Sequence, residues 1–149
     1  MQALYNFVVE PIGERYNNTT KVGDKELILN TDVFNHHHVN RLAKVISTPK
    51  LGDTEIQVGD TVLVHFNVFR RWHDVKGKER NSRSYYEENK YFVNDDQIFL
   101  YKRSEEWVCP QGYCFVQPIK DNSQLSVNTE KSLVGIVKHT DGRAELNSL

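Results

Sequence analysis

Apolar and polar residues alternate with the period of β-strands along most of the chain. In "TVLVHFNVF" (residues 61–69), Val62, Val64, Phe66 and Val68 fall on one face. Thr61, His65 and Asn67 fall on the other, with Leu63 and Phe69. That is the pattern of a strand with one face in a core. Gly59-Asp60 precedes it with turn chemistry. The same reading predicts strands at "YNFVVE" (5–10), "RLAKVIS" (41–47), "KYFV" (90–93), "QIFLYK" (97–102), "YCFVQPI" (113–119) and "SLVGIVKH" (132–139). "NDD" (94–96) reads as a tight turn between two of them. No window of about 11 residues carries the apolar stripe of a helix. Short strands with close turn signals predict an all-β barrel or sandwich.

Two long segments break the pattern. Residues 13–40 are polar apart from Leu27-Ile28-Leu29 and Val33-Phe34. Residues 70–89, "RRWHDVKGKERNSRSYYEEN", are polar with Trp72, Tyr85 and Tyr86 interleaved. Loops this long inside a compact domain concentrate function or disorder. A short motif also returns: "YNFVVEPI" (5–12) and "YCFVQPI" (113–119) each lead through a polar loop to an aliphatic strand, "NRLAKVIST" (40–48) and "KSLVGIVKHT" (131–140). This divides the chain at about residue 108. Residues 109–149 either complete the first barrel or begin a partial second β module.

Composition narrows the function classes. The chain has 149 residues, of which 38% are apolar and 26% charged, with a net charge of −1. A packed core is expected, and a dedicated binder of nucleic acid or anionic membrane is disfavoured. No apolar run approaches the ~20 residues of a membrane span, and residues 1–11 lack the basic start of a signal peptide, so a cytoplasmic protein is the expectation. Cys109 and Cys114 form one C-x4-C pair without a second, a weak metal signal, and two unpaired thiols are expected. The run Asn35 to His38, "NHHH", reads as a solvated loop, because adjacent histidines diverge and no further ligand cluster stands beside them. Neither a metal nor a cofactor is expected. No phosphate-cradling glycine loop, H-E-x-x-H or nucleophile motif is present, so no catalytic residues are assigned.

The stretch "GDKELILNTD" (23–32) sets the functional question. Leu27, Ile28 and Leu29 stand among Gly23, Asp24, Lys25, Glu26, Asn30, Thr31 and Asp32. Two placements are open: three apolar side chains carried on a solvated loop, or an ordinary strand packed in the barrel with side chains on both faces.

The order of elements from residue 5 to 102 resembles the GroES-like co-chaperonins, the ten-kilodalton lids of chaperonins. The matching residues are "FVVEPIGER", an aliphatic triplet in a long polar loop after Gly23, "NRLAKVIST", "IQVGDTVLVHF" and "YFVNDDQIFLYK". The resemblance implies a partly open β-barrel with a mobile loop at about 13–40. It implies that Leu27, Ile28 and Leu29 dock on the apical domains of a GroEL-like chaperonin ring, with Gly23, Asp24, Glu26 and Asn30 as flanks that keep the run soluble. It further implies self-association into a ring, heptameric in the family, with the first strand of one subunit pairing with the last strand of its neighbour. An unfolded substrate protein would be enclosed, and the ATP chemistry would belong to the chaperonin. Two departures stand out. "PKLGDTE" (49–55) is short for the family's roof hairpin, and residues 70–89 are longer than in small bacterial members. Such divergence resembles viral co-chaperonins and implies a phage protein working in the host cytoplasm.

Two other classes compete. One is a structural β-barrel module of a phage tail or baseplate. The other is single-stranded nucleic-acid binding by residues 70–90. There, seven cations (Arg70, Arg71, Lys76, Lys78, Arg80, Arg83 and Lys90) face four acids (Asp74, Glu79, Glu87 and Glu88) beside three aromatic rings.

Overall fold

The computed structural model describes residues 2–28, 32, 34–110, 112–122 and 130–141. Among these the strands in chain order are β1 (Phe7–Pro11), β2 (Thr19–Val22), β3 (Lys25–Ile28), β4 (Leu42–Ser47), β5 (Thr61–Val64), β6 (Arg71–His73), β7 (Glu79–Asn81), β8 (Tyr85–Glu87), β9 (Lys90–Val93), β10 (Ile98–Arg103), β11 (Glu106–Val108), β12 (Cys114–Lys120) and β13 (Glu130–Thr140). Two three-residue 3₁₀ turns, His36–His38 and Asp95–Gln97, are the helical pieces among the described residues. The protein is predominantly β.

Seven strands form one sheet in the order β11-β10-β5-β4-β1-β9-β8. The sheet is open: β11 and β8 are its two edges, and they do not pair with each other. Three two-stranded hairpins stand outside it, β2-β3, β6-β7 and β12-β13. The interior strand β1 explains the arrangement. Phe7, Val8 and Val9 are all buried, so β1 is covered on both faces. Its neighbour β4 alternates, with Ala43 and Val45 buried and Leu42 and Lys44 exposed. Val62, Val64, Tyr91, Val93 and Ile98 complete one core with Phe69, whose ring meets Tyr91 edge-on at 4.9 Å.

Two expectations are corrected. The strand predicted over 61–69 ends at Val64, and the chain turns, with the Val68 N–H donating to His65 O. Val68 and Phe69 enter the core from that turn, so the alternating pattern outlasts the strand. The second correction concerns assembly. The strands expected to meet across a subunit boundary are both interior here. β1 pairs with β4 and β9, and β10 pairs with β5 and β11. The backbone groups of β1 and β10 are thus paired within the chain.

The two strand pairs that carry the returning motif can be compared through their hydrogen-bond register. In β1-β4, Val8 faces Ser47, Val9 faces Val45, Glu10 faces Lys44 and Pro11 faces Ala43, with a register shift between Val8 and Val9. In β12-β13, Phe115 faces His139, Val116 faces Val137, Gln117 faces Ile136 and Pro118 faces Gly135, with a shift between Phe115 and Val116. From Val9 and Val116 to Pro11 and Pro118 the corresponding residues pair alike, and each bulge leaves one residue over, Ile46 or Lys138.

Candidate functional site

The segment between β1 and β4 leaves the sheet as an arm, and its root is clamped. Asn40 is buried and makes four hydrogen bonds. Its Nδ2 donates to Ile12 O and Glu14 O, both at 2.9 Å, its Oδ1 accepts from the Leu42 N–H, and its own N–H donates to Arg15 O. Both limbs of the arm are therefore tied together where they leave the sheet. The adjoining bridge pairs Tyr16 with Val39. Arg15 adds a second tie. Its Nε and Nη2 donate to Phe69 O at 3.1 and 2.9 Å, and its Nη1 donates to Asn81 Oδ1 at 2.8 Å. Burial pulls the Arg15 pKa down, opposed by the neighbouring Tyr91. The Tyr16 hydroxyl accepts from the Arg71 N–H at 2.8 Å.

Beyond the root, β2 and β3 form an antiparallel hairpin with Thr19 facing Ile28, Thr20 facing Leu27, Lys21 facing Glu26 and Val22 facing Lys25. Gly23 and Asp24 make its two-residue tip. Gly23 has φ 62°, while Asp24 stays out of the left-handed region, the pattern of a type II′ turn with glycine at its first central position. Gly23, Asp24 and Glu26 are thus parts of a formed hairpin, where the sequence predicted flanks of a loop.

The aliphatic residues lie on the hairpin's exposed surface. Leu27 is 49% exposed, Ile28 65% and Val22 59%. Successive strand residues point to opposite faces, so Leu27 shares one face with Val22, and Ile28 occupies the other. Of the two placements left open, the packed core strand fails for Leu27 and Ile28. Leu29 and Asn30 lie outside the described residues. The returning limb carries Phe34, half-exposed, its ring 5.7 Å from His73, and His36, 5.1 Å from the Phe66 ring.

Residues 70–89 are ordered too, against the reading of a patternless loop. β6 and β7 form a hairpin whose turn is organised by Asp74. Asp74 Oδ1 accepts from the N–H groups of Lys76 and Lys78, and its Oδ2 accepts from Arg80 Nε. The Lys78 N–H, with the Arg80 guanidinium, holds the Asp74 carboxyl below the usual range. β8 extends the main sheet. Three of the seven cations in this segment are paired, Arg71 with Glu79, Arg80 with Asp74 and Lys90 with Glu87. Trp72 donates its indole N–H to Asn81 O. This is a folded, partly neutralised surface, unlike the flexible basic segment that the nucleic-acid reading assumed.

The remaining candidates are quickly placed. Cys109 is buried and Cys114 exposed, both free thiols, and burial pushes the Cys109 thiol up. His36–His38 form the 3₁₀ turn, and no group of three or more metal-type ligands gathers among the described residues. Among the same residues no helix is long and apolar enough to cross a membrane.

Comparison with protein-family models, with curated proteins and with solved structures returned no match. The resemblance to the co-chaperonins therefore rests on the order of residues in the chain alone.

Proposed function

We propose that this chain is a divergent co-chaperonin, docking through its arm onto the apical domains of a chaperonin ring and assisting ATP-dependent folding of an enclosed protein. One observation carries the reading: Leu27 and Ile28 stand exposed on a hairpin whose root is fastened to a rigid sheet. Leu27 and Ile28, one on each face of the hairpin, are the apolar side chains that a partner clasping the arm would cover. Fully burying each side chain would contribute about 1.5–3 kcal/mol. A hairpin already formed loses less backbone entropy on docking than a coil, so even two or three anchors give useful affinity. A single arm still binds weakly. Several arms held in a ring convert weak contacts into strong but releasable ones, as a lid that must leave each cycle requires. Because β1 and β10 are interior, such a ring would close through the free sheet edges β8 and β11.

The test is retention of the chain on a purified bacterial chaperonin ring with and without nucleotide, comparing wild type with Leu27→Ser/Ile28→Ser. Both side chains are exposed, so the variant should keep its circular dichroism spectrum and melting temperature. Nucleotide-dependent retention that disappears in the folded variant is the expected result. Undiminished retention of the variant would move the contact elsewhere, and no retention of the wild type would remove the lid reading in favour of a structural module.

A further inference from the structure

A cavity of about 580 Å³ lies between the returning limb of the arm and the β6-β7-β8 segment, with Phe34, Arg70, Trp72, Ser82, Arg83 and Ser84 among its walls. Its size is that of a small-molecule site. No aspartate or glutamate lines it. The nearby carboxylates are engaged elsewhere, Asp74 with Arg80, Glu79 with Arg71 and Glu87 with Lys90. Arg70 and Arg83 form no ion pair among the described residues. Two guanidiniums without a carboxylate partner, beside a cavity that no carboxylate lines, leave an excess of positive charge there, and that favours an anionic ligand.

We propose that this cavity binds an organic phosphate bearing a planar ring, that is, a nucleotide, either free or at the end of a nucleic-acid strand. Each part of the ligand has a counterpart. Guanidinium groups match phosphate oxygens in geometry and charge. Ser84 supplies a hydroxyl that can donate to a phosphate oxygen, whereas the Ser82 Oγ spends its one proton on Val68 O at 2.6 Å and keeps only acceptor capacity. Phe34 and Trp72 supply aromatic surface for the planar ring, and the Trp72 ring is fixed by its indole bond to Asn81 O. The elements are brought together only by the fold, since Phe34 comes from the arm and the rest from the segment after β5. The inference stands apart from the lid reading, because neither Leu27 nor Ile28 takes part.

Trp72 is the reporter, made the only tryptophan by Trp107→Phe. In that background AMP, adenosine, inorganic phosphate and short oligothymidylates with a 5′-phosphate or a 5′-hydroxyl are titrated against its fluorescence. The expected result is a saturable change with AMP, with adenosine and phosphate each at least about tenfold weaker, as two-part recognition requires. Arg83→Gln and Arg70→Gln should each weaken AMP binding by about tenfold or more, and Arg83→Lys should restore only part of it. Arg83 is exposed, so its variant should fold. If Arg70→Gln lowers stability, Arg83→Gln and competition by inorganic phosphate decide the matter. Tighter binding of AMP than of either oligonucleotide assigns a free nucleotide. A preference for the 5′-phosphorylated strand over its 5′-hydroxyl form assigns a strand end. No saturable response to AMP or to the phosphorylated strand would overturn the proposal. So would binding that Arg83→Gln leaves unchanged.

Discussion

The strand pairs β1-β4 and β12-β13 share sequence pattern, register and bulge, yet live in opposite environments. Val9 is fully buried and its counterpart Val116 is 50% exposed. Ala43 and Val45 are in the core, while Gly135 and Val137 are only partly covered. What differs is the company. β4 is flanked by β5 and β1 by β9, so backbone pairing continues on both sides. β12 and β13 pair only with each other among the described residues. The lesson is that a local pattern sets how two strands meet, while burial is set by which other strands arrive.

The sharpest way to break the comparison is a charge at the equivalent positions. Val9→Asp places a carboxylate in the core without a partner, which should cost several kcal/mol and leave the first sheet unfolded at room temperature. Val116→Asp should cost less than about 1 kcal/mol. Urea melts followed by circular dichroism would decide, and equal losses would show that the second pair is covered as well.

A smaller effect is expected where β5 is locked beside the first pair. Asp60 is buried in the turn before β5. It accepts from the Gln57 N–H at 2.9 Å and from Arg103 Nε and Nη2 at 3.1 and 2.6 Å. Burial pushes the Asp60 carboxyl up, but the Arg103 and Gln57 hydrogen bonds outweigh it and leave the carboxyl below its ordinary value. A carboxyl with a depressed pKa stabilises the fold above its unfolded pKa, and that contribution is lost as pH falls through the folded value. Asp60→Asn should therefore cost about 1–3 kcal/mol near neutrality. It should flatten the acid side of the stability-against-pH curve, and raise amide exchange in β4 and β5 toward that of β13. A variant with the same acid limb as wild type would contradict the assignment.

The smallest effect sharpens the contrast from the other side. Past Pro118 the second pair loses register, and Leu133 takes φ 59° there. A side chain in that region costs roughly 1–2 kcal/mol, which glycine avoids. Leu133→Gly should slow amide exchange in β12-β13 and leave that of β1-β4 unchanged. Faster exchange in β12-β13 would mean that the exposed leucine makes a contact worth more than the strain.

Legibility in the sequence followed burial for most strands: β1, β4, β5, β9 and β10 have buried faces, and their apolar pattern found them, while β12 and β13, largely exposed, were found by their runs of β-branched and aromatic residues. β2, β3, β7 and β8 are exposed along their whole length, and no alternation marked them. The hydrophobic pattern reports which side chains leave water, whereas a strand exposed on both faces is held by backbone bonds that any residue can make. Turn chemistry offered a second signal. Gly23-Asp24 has the composition that was recognised at Gly59-Asp60, and it would have predicted the hairpin tip. Nothing local marked Asn40 or Arg15 as clamps, because their partners at Ile12, Glu14, Phe69 and Asn81 are distant in the chain.

Residue order alone was enough for the β class and for the oddity of an aliphatic run in polar surroundings, since each depends on neighbours within a few positions. Tertiary structure decided that β1 is interior, that Leu27 and Ile28 stay in solvent, and that Phe34 shares a cavity with Arg70 and Arg83. Those outcomes depend on contacts between segments tens of residues apart, and a side chain's environment is set by whatever the rest of the chain brings to it.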